Sequence, residues 1–250
     1  MSSIMQSHRV GDGWSTPITA SFSGTWRDLD PTMSPDGSFL LFVSNRPASP
    51  GGKRLDGAAK NGKVHPGFGM NLWRVDRHGD GWGEPVRLPS TINTSTATFA
   101  PSIAADGSIY YMARDPADGD FHLFRVPAGE GHYGMPARVA LGDADMVIRD
   151  PAVAPDQSFI IVSMKPGGSK GPLRLAIAFR SHDGWGTPVD LGDAVNGNSY
   201  AMGGQLGTDR RTLYFYSARS DHAAAPGSIW NNGEDNIWSV SLAPWLDAKY

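Results

Sequence analysis

Residues able to do acid–base or electrostatic chemistry recur at comparable places along this 250-residue chain. One set stands at the start of short strand-like runs: Arg27, Asp28 and Asp30; Thr98 and Phe99; Arg149 and Asp150; Tyr200 and Gln205. A second set follows such runs or sits in the longer connections: Asn45, Arg46, His65, Arg114, Asp115, Arg219, His222, Trp230 and Asn231. Two chemistries are open to them. His222 or His65 could serve as general acid or base, with Arg149 or Arg46 stabilising developing negative charge, which is the equipment of a lyase, isomerase or cyclase. The same Arg, Asp, His and aromatic groups also suit capture of a small polar or anionic ligand. A structural reading competes with both. In it Asp28, Asp30 and Asp150 pair with Arg46, Arg114 and Arg149 as blade-to-blade bridges, since structural ion pairs are common. Taken singly, each residue favours the bridge; taken together, the set favours a site.

The remaining motifs carry less. Gly167-Gly168-Ser169-Lys170-Gly171 matches G-x-S-x-G, but a nucleophile elbow needs a helix after it. Pro172 and a strand-like Leu173 to Phe179 follow instead, so serine-hydrolase chemistry is disfavoured. Asp115 to Asp120 (DPADGD) lacks the distal Glu of a calcium loop and reads as a solvated turn. The 7 His show no short metal-ligand spacing. Cys is absent, which excludes disulfides, thiolate metal sites and Cys nucleophiles. Neither a metal nor another cofactor is expected.

Composition narrows the partners. The net charge is −3, without blocks of like charge, so there is no basic footprint for nucleic acid. No run approaches the roughly 18 apolar residues of a membrane span, and the N-terminal residues lack the apolar core of a signal peptide. The expectation is a cytoplasmic location, or a periplasmic one if a signal was removed, with a small polar molecule or a peptide as partner. Oligomeric state is left open.

What must position these residues is a repeat. Asp30 to Arg46 reads DPTMSPDGSFLLFVSNR, and weaker copies run from Ala100 to Arg114, Asp150 to Lys165 and Gly203 to Arg219. The turn Asp recurs at Asp36, Asp106, Asp156 and Asp209, a unit of about 50 residues with one enlarged copy. Its Asp-Gly pairs serve the turn's own backbone. A second element phases the first: Gly-Trp followed by Pro at Trp14/Pro17, Trp82/Pro85 and Trp185/Pro188, with a degenerate Tyr133/Pro136. These aromatics read as packing at blade edges. Each unit then holds four strands, such as Pro31 to Ser34, Phe39 to Ser44, Asn71 to Val75 and Pro85 to Leu88. The second strand is apolar throughout, as a strand covered on both faces must be. The 31 Gly and 19 Pro fit many short strands joined by turns.

These features predict an all-β chain: one β-propeller domain over 1–250, with four-stranded antiparallel blades in units of about 26–90, 91–141, 142–193 and 194–242. Residues 10–25 are expected to close the last blade with an N-terminal strand, giving four blades. Ile4 to Val10 aligns without gaps to Leu72 to His78, so a partial fifth blade is the alternative. Two long polar connections, Pro47 to Gly69 and Ser220 to Asp235, are placed to cover one end.

The pattern Asp28, Pro31, Ser34-Pro35-Asp36-Gly37, Leu40, Phe42, Ser44, Arg46 resembles the TolB-like (WD40-like) β-propeller repeat, and the resemblance covers all four units. It implies antiparallel four-stranded blades. It leaves function open, because the family spans periplasmic scaffolds, propellers attached to serine peptidases and some polysaccharide lyases. The namesake's six blades and partner binding are not carried over to a chain with four legible copies.

The leading expectation is therefore a binding propeller. It would hold a small polar or anionic ligand, or a peptide segment, through Arg27, Asp28, Asp30, Arg46, Phe99, Arg114, Asp150, Tyr200, Gln205, Arg219 and Trp230. The alternatives are an enzyme of the lyase, isomerase or cyclase kind, using His222, His65 and Arg149, and a protein-interaction scaffold.

Overall fold

Strands that are apolar on both faces need cover on both sides, and the packing of this chain supplies it. The computed structural model describes residues 2–143, 146–197, 199–219 and 235–248. The chain divides into two compact units, Met1–Arg138 and Val139–Tyr250, and the division falls beside the expected repeat boundary at 141/142.

The first unit opens with four two-residue strands: β1 (Met5–Gln6), β2 (Arg9–Val10), β3 (Gly13–Trp14) and β4 (Ile18–Thr19). One blade follows, built from β5 (Asp28–Met33) and β6 (Phe39–Ser44). The hairpin β7 (Gly57–Ala58) and β8 (Val64–His65) interrupts it. The blade resumes with β9 (Asn71–His78), β10 (Gly81–Trp82) and β11 (Val86–Arg87). Its ladder runs β5-β6-β9, and both β10 and β11 pair with β9. The second blade is β12 (Thr98–Ile103), β13 (Ile109–Arg114), β14 (Phe121–Val126) and β15 (Ala137–Arg138), paired in chain order. In β6 the two faces go to different cores. Leu41 and Val43 pack with Leu72, Ile92, Ile109 and Tyr111, whereas Leu40 and Phe42 pack with Ile4, Ala20, Trp73 and Val75.

The second unit holds a blade of β16 (Val147–Val153), β17 (Phe159–Lys165), β18 (Arg174–Ser181), β19 (Gly184–Trp185) and β20 (Val189–Asp190). A one-turn helix α1 (Asp193–Asn196) leads to β21 (Met202–Leu206), β22 (Thr212–Ser217), β23 (Asn236–Ser241) and a second short helix α2 (Ala243–Leu246). Ile161, Leu175, Ile177, Leu213 and Phe215 form its core. Four antiparallel sheets of this order are the blades of an all-β, four-blade propeller arrangement.

The N-terminal strand differs from expectation. Residues 16–21 supply β4, and its ladder partner is β1 rather than the last sheet. Ile4–Val10 behaves as its alignment to Leu72–His78 implies, since β1 and β2 take β4 and β3 as β9 takes β11 and β10. The reason is local. A hairpin closed through a tight Gly-Asp-Gly turn loses little chain entropy, and it buries Ile4 and Ala20 against Phe42 and Trp73. The N-terminus thus forms two small ladders of its own, β1-β4 and β2-β3, and the last sheet has three strands among the described residues.

Each inner strand carries one irregularity that aims its neighbours. The register shifts between Leu29 and Thr32, Phe99 and Ser102, Arg149 and Ala152, and Met202 and Gln205. Within those gaps Asp30, Ala100 and Asp150 have φ of 49°, 48° and 48°, and Gly203 has 63°. A non-glycine residue held there costs about 1–3 kcal/mol, so the bulge is imposed by the fold and repeated in every blade.

Candidate functional site

The segment 47–69, which enlarges the first repeat, folds back as the β7–β8 hairpin. Its stem closes where the Gly69 amide donates to the Leu55 carbonyl at 2.8 Å. Glycine is required there, because a Cβ on Gly69 would lie 2.5 Å from the Asp56 oxygen. Asn45 holds the same segment, donating through Nδ2 to Gly67 O at 2.7 Å. Lys60 Nζ reaches the Asp120 carboxylate at 2.6 Å, tying the hairpin to the second blade. That pair is exposed and worth about 0–1 kcal/mol.

Between hairpin and blade lies a groove of about 240 Å³. Gly57, Ala58, Ala59, His65 and Phe68 line it from the hairpin. Thr96, Ala97 and Phe99 come from the entry to β12, and Arg114 and Phe121 from facing ends of β13 and β14. The entry to β12 is fixed to the first blade by backbone hydrogen bonds, Met70 N to Thr96 O at 2.8 Å and Thr98 N to Met70 O at 3.2 Å. The walls are largely aromatic. Phe99 and Phe121 stand 6.0 Å apart between ring centres, and Phe68 is 61% exposed. The Arg27 guanidinium lies 5.2 Å from the Phe68 ring.

Arg114 is the charged group of the groove. Its guanidinium lies 4.6 Å from the Phe121 ring centre, and Nη1 donates to Gly119 O at 2.5 Å. Nε is covered and has no acceptor among the described residues, which costs about 1–3 kcal/mol. No carboxylate pairs with it among the described residues. His65 likewise makes no side-chain contact with a carboxylate among the described residues.

Why Arg114 faces the groove while Arg46 does not is a matter of register. The turn of the first repeat closes from Ser34 N to Phe39 O, but that of the second closes from Ala104 N to Ser108 O, one residue shorter. Asn45 N bonds Arg27 O, and Arg114 N bonds Ala97 O. Arg114 therefore stands where Asn45 stands, one step before the position of Arg46, and points to the opposite face of its strand.

The other expected residues lie as follows. Asp28 and Arg46 form a buried ion pair at 3.0 Å. Asp28 also accepts from Ser23 Oγ at 2.7 Å and Ser44 Oγ at 2.6 Å, while Arg46 donates to Phe22 O and lies over Phe42 and Trp73. This is a structural bridge, but it joins neighbouring strands of one blade rather than two blades. Asp30 accepts the Ala100 amide at 3.0 Å, linking two inner strands, and the protein packed around it pushes its carboxyl pKa up although the residue keeps exposed surface. Arg149 lies opposite Ser163 in the ladder, and Asp150 accepts from Ser163 Oγ at 3.3 Å. Tyr200 donates to the Asp235 carboxylate and packs edge-on against Tyr216. Gln205 is exposed opposite Tyr214. Arg219 donates to the Ala194 and Val195 carbonyls at 2.9 and 2.8 Å and lies over Trp238. His222 and Trp230 lie outside the described residues.

The groove thus gathers His65, Phe99 and Arg114, with Arg27 behind Phe68. Sequence reasoning missed Phe68, Phe121 and the small residues. Phe68 carried a signal, as the lone aromatic in a Gly/Pro/Lys-rich insert. Phe121 carried one only through its ladder pairing with Arg114.

The blades make an all-β propeller arrangement, with the groove in its first unit. No family model matches the chain, and no curated protein matches it. Solved structures do. TolB from Acinetobacter baumannii aligns with a TM-score of 0.47 at 14% identity, over 91% of this chain and 43% of that one. A puromycin-hydrolyzing peptidase from Mycobacterium tuberculosis aligns with a TM-score of 0.46 at 13% identity, over 96% and 42%. The chain spans less than half the length of either. Among the described residues no helix is long and apolar enough to cross a membrane.

Proposed function

We propose that this protein is a binding propeller that holds a small organic anion in the groove beneath the β7–β8 hairpin. The observation that carries the reading is Arg114: a guanidinium with no carboxylate partner among the described residues, set against aromatic walls. A cation so placed recovers its lost hydration from an anionic ligand through charge-assisted hydrogen bonds. Binding is favoured over proton transfer because no carboxylate orients His65 among the described residues, and a working general base is usually oriented by a third group.

Calorimetric titration of the full chain with small anions, and with amines and alcohols of matched shape, tests this. Anions bind, and Arg114→Gln weakens them by about 1.5–3 kcal/mol, the worth of a hydrogen bond to a charged group, or roughly ten- to a hundredfold. Anion binding that ignores the substitution, or no anion binding at all, would overturn the reading.

A further inference from the structure

We propose that the ligand is a monocarboxylate carried on a single flat apolar body, in the manner of an aryl-alkanoate. This rests on the reading of the groove as an anion site and adds the chemical class.

Charge comes first. Arg114 is the one Arg or Lys of the lining, Arg27 stacks on the Phe68 ring at 5.2 Å, and Lys60 of the hairpin is engaged by Asp120 at 2.6 Å. One guanidinium balances a monoanion. A phosphate or sulfate dianion would leave surplus charge against Phe68, Phe99 and Phe121, and unpaired charge beside apolar surface is costly. The groove also lacks a run of backbone amides at a helix N-terminus, the usual cradle of phosphate, since its lining comes from strands and turns.

Geometry comes second. With Nη1 engaged at Gly119 O and Nε covered, the Nε–Nη2 edge opens only when the side chain turns, and a planar guanidinium edge then meets a carboxylate through two parallel hydrogen bonds. Nε, which has no acceptor among the described residues, gains one as the side chain turns toward the ligand. His65, on the hairpin side, offers its imidazole to the second carboxylate oxygen.

Size and surface come third. The recess of about 240 Å³ lies below the roughly 300–1,000 Å³ of sites for drug-sized molecules. It admits one ring on a short chain. Phe68, Phe99 and Phe121 present ring faces and edges, which favour a flat partner over a branched aliphatic one.

The test is a titration of the full chain with 3-phenylpropionate, 3-phenylpropanol, 3-phenylpropylamine, butyrate and inorganic phosphate, in wild type, Arg114→Gln and Phe68→Ala. Thermal melts confirm that each variant is folded, and exposed Phe68 can be truncated without opening a core. Phenylpropionate binds at least tenfold more tightly than the alcohol, the amine or butyrate. Arg114→Gln removes the preference for the acid over the alcohol, and Phe68→Ala removes the preference for phenylpropionate over butyrate. Inorganic phosphate binding in an Arg114-dependent way, with phenylpropionate failing, would overturn the carboxylate assignment and leave the anion site standing. Failure of every anion would overturn both.

Discussion

Substituting Asp28 by Asn should destabilise the first unit strongly and leave the groove untouched. The Asp28 side chain is fully buried and that of Arg46 is 11% exposed, so solvent screens the pair little. Asp28 accepts from Ser23 Oγ, Ser44 Oγ and both Nε and Nη2 of Arg46. Asn keeps the shape and one oxygen but strands the guanidinium between Phe42 and Trp73 without its counter-charge. Breaking a buried pair from one side costs about 3–5 kcal/mol. The low end applies to an isosteric change, and at roughly 2–4 °C per kcal/mol for a chain of this size the melting temperature falls by about 6–12 °C. Replacing both partners with apolar groups, Asp28→Leu with Arg46→Met, should restore much of the loss, because two desolvation costs vanish together. Calorimetric melts of wild type, both single variants and the double variant give the coupling directly. A melting temperature within a degree of wild type for Asp28→Asn would refute the structural role. So would loss of ligand binding in a variant that melts normally, since that would return Asp28 and Arg46 to the site.

Four further substitutions have outcomes set by the geometry. Asp30→Asn should raise the melting temperature at pH 7. The protein packed around Asp30 raises its pKa, so its favourable contribution is present below the ordinary carboxylate range and lost as pH rises through the folded value; the residue keeps exposed surface, so solvent screens the effect and the gain is small. Asn still accepts from Ala100 and tolerates the positive φ, and the advantage should vanish in melts at acid pH. Gly69→Ala forces a Cβ to 2.5 Å from the Asp56 oxygen, which should part the hairpin stem at a cost of about 1–3 kcal/mol, seen as faster limited proteolysis within 47–69 and weaker ligand binding. Ala100→Gly should stabilise by about 0–1 kcal/mol, relief of the left-handed Ala less the added chain entropy, whereas Gly203→Ala should destabilise because its Cβ would fall 2.2 Å from the Tyr216 ring.

The blades were legible because their signals are redundant: turn, apolar run and Gly-Trp step repeat together, so any one degenerate copy is carried by the others. Gln157 and Arg210 show how far this goes. Both take the positive φ that Gly37 and Gly107 take in the better copies, at 58° each. A subtler repetition escaped notice. Asn93 clamps Leu72 through its N–H and carbonyl, and Asn196 clamps Leu175 in the same way, closing the first blade of each unit from segments that align as P-V-x-L-x-x-x-[IV]-N, residues 85–93 and 188–196. The Gly-Trp aromatics were read too uniformly: Trp82 packs edge-on against Phe22, while Trp14 is 68% exposed beneath Arg9.

The site was legible in type but not in arrangement. Motif matching puts Arg114 beside Arg46 and Arg219, yet a turn shorter by one residue moves it to the other face, and a period of two makes that shift decisive. Arg46 and Arg219 share one position, each backbone amide bonding a serine two residues back. There they serve the scaffold, and only Arg114 is released to the groove. Where the insert 47–69 would lie depended on pairing that no local pattern encodes, namely Asn45 to Gly67 and Lys60 to Asp120.

The central claim is that Arg114 meets an anion in the groove beneath the hairpin. The most direct test is a two-dimensional NMR titration of the full chain with 3-phenylpropionate. It should follow the Arg114 Nε–H signal and the backbone amides of His65, Ala97 and Phe99. The account predicts saturable shifts at these four places, with the Nε–H moving downfield as it gains its acceptor, and little change at Arg219, whose guanidinium donates to the α1 carbonyls. Shifts centred on the second unit, or an Arg114 Nε–H that stays still while the ligand binds, would contradict it.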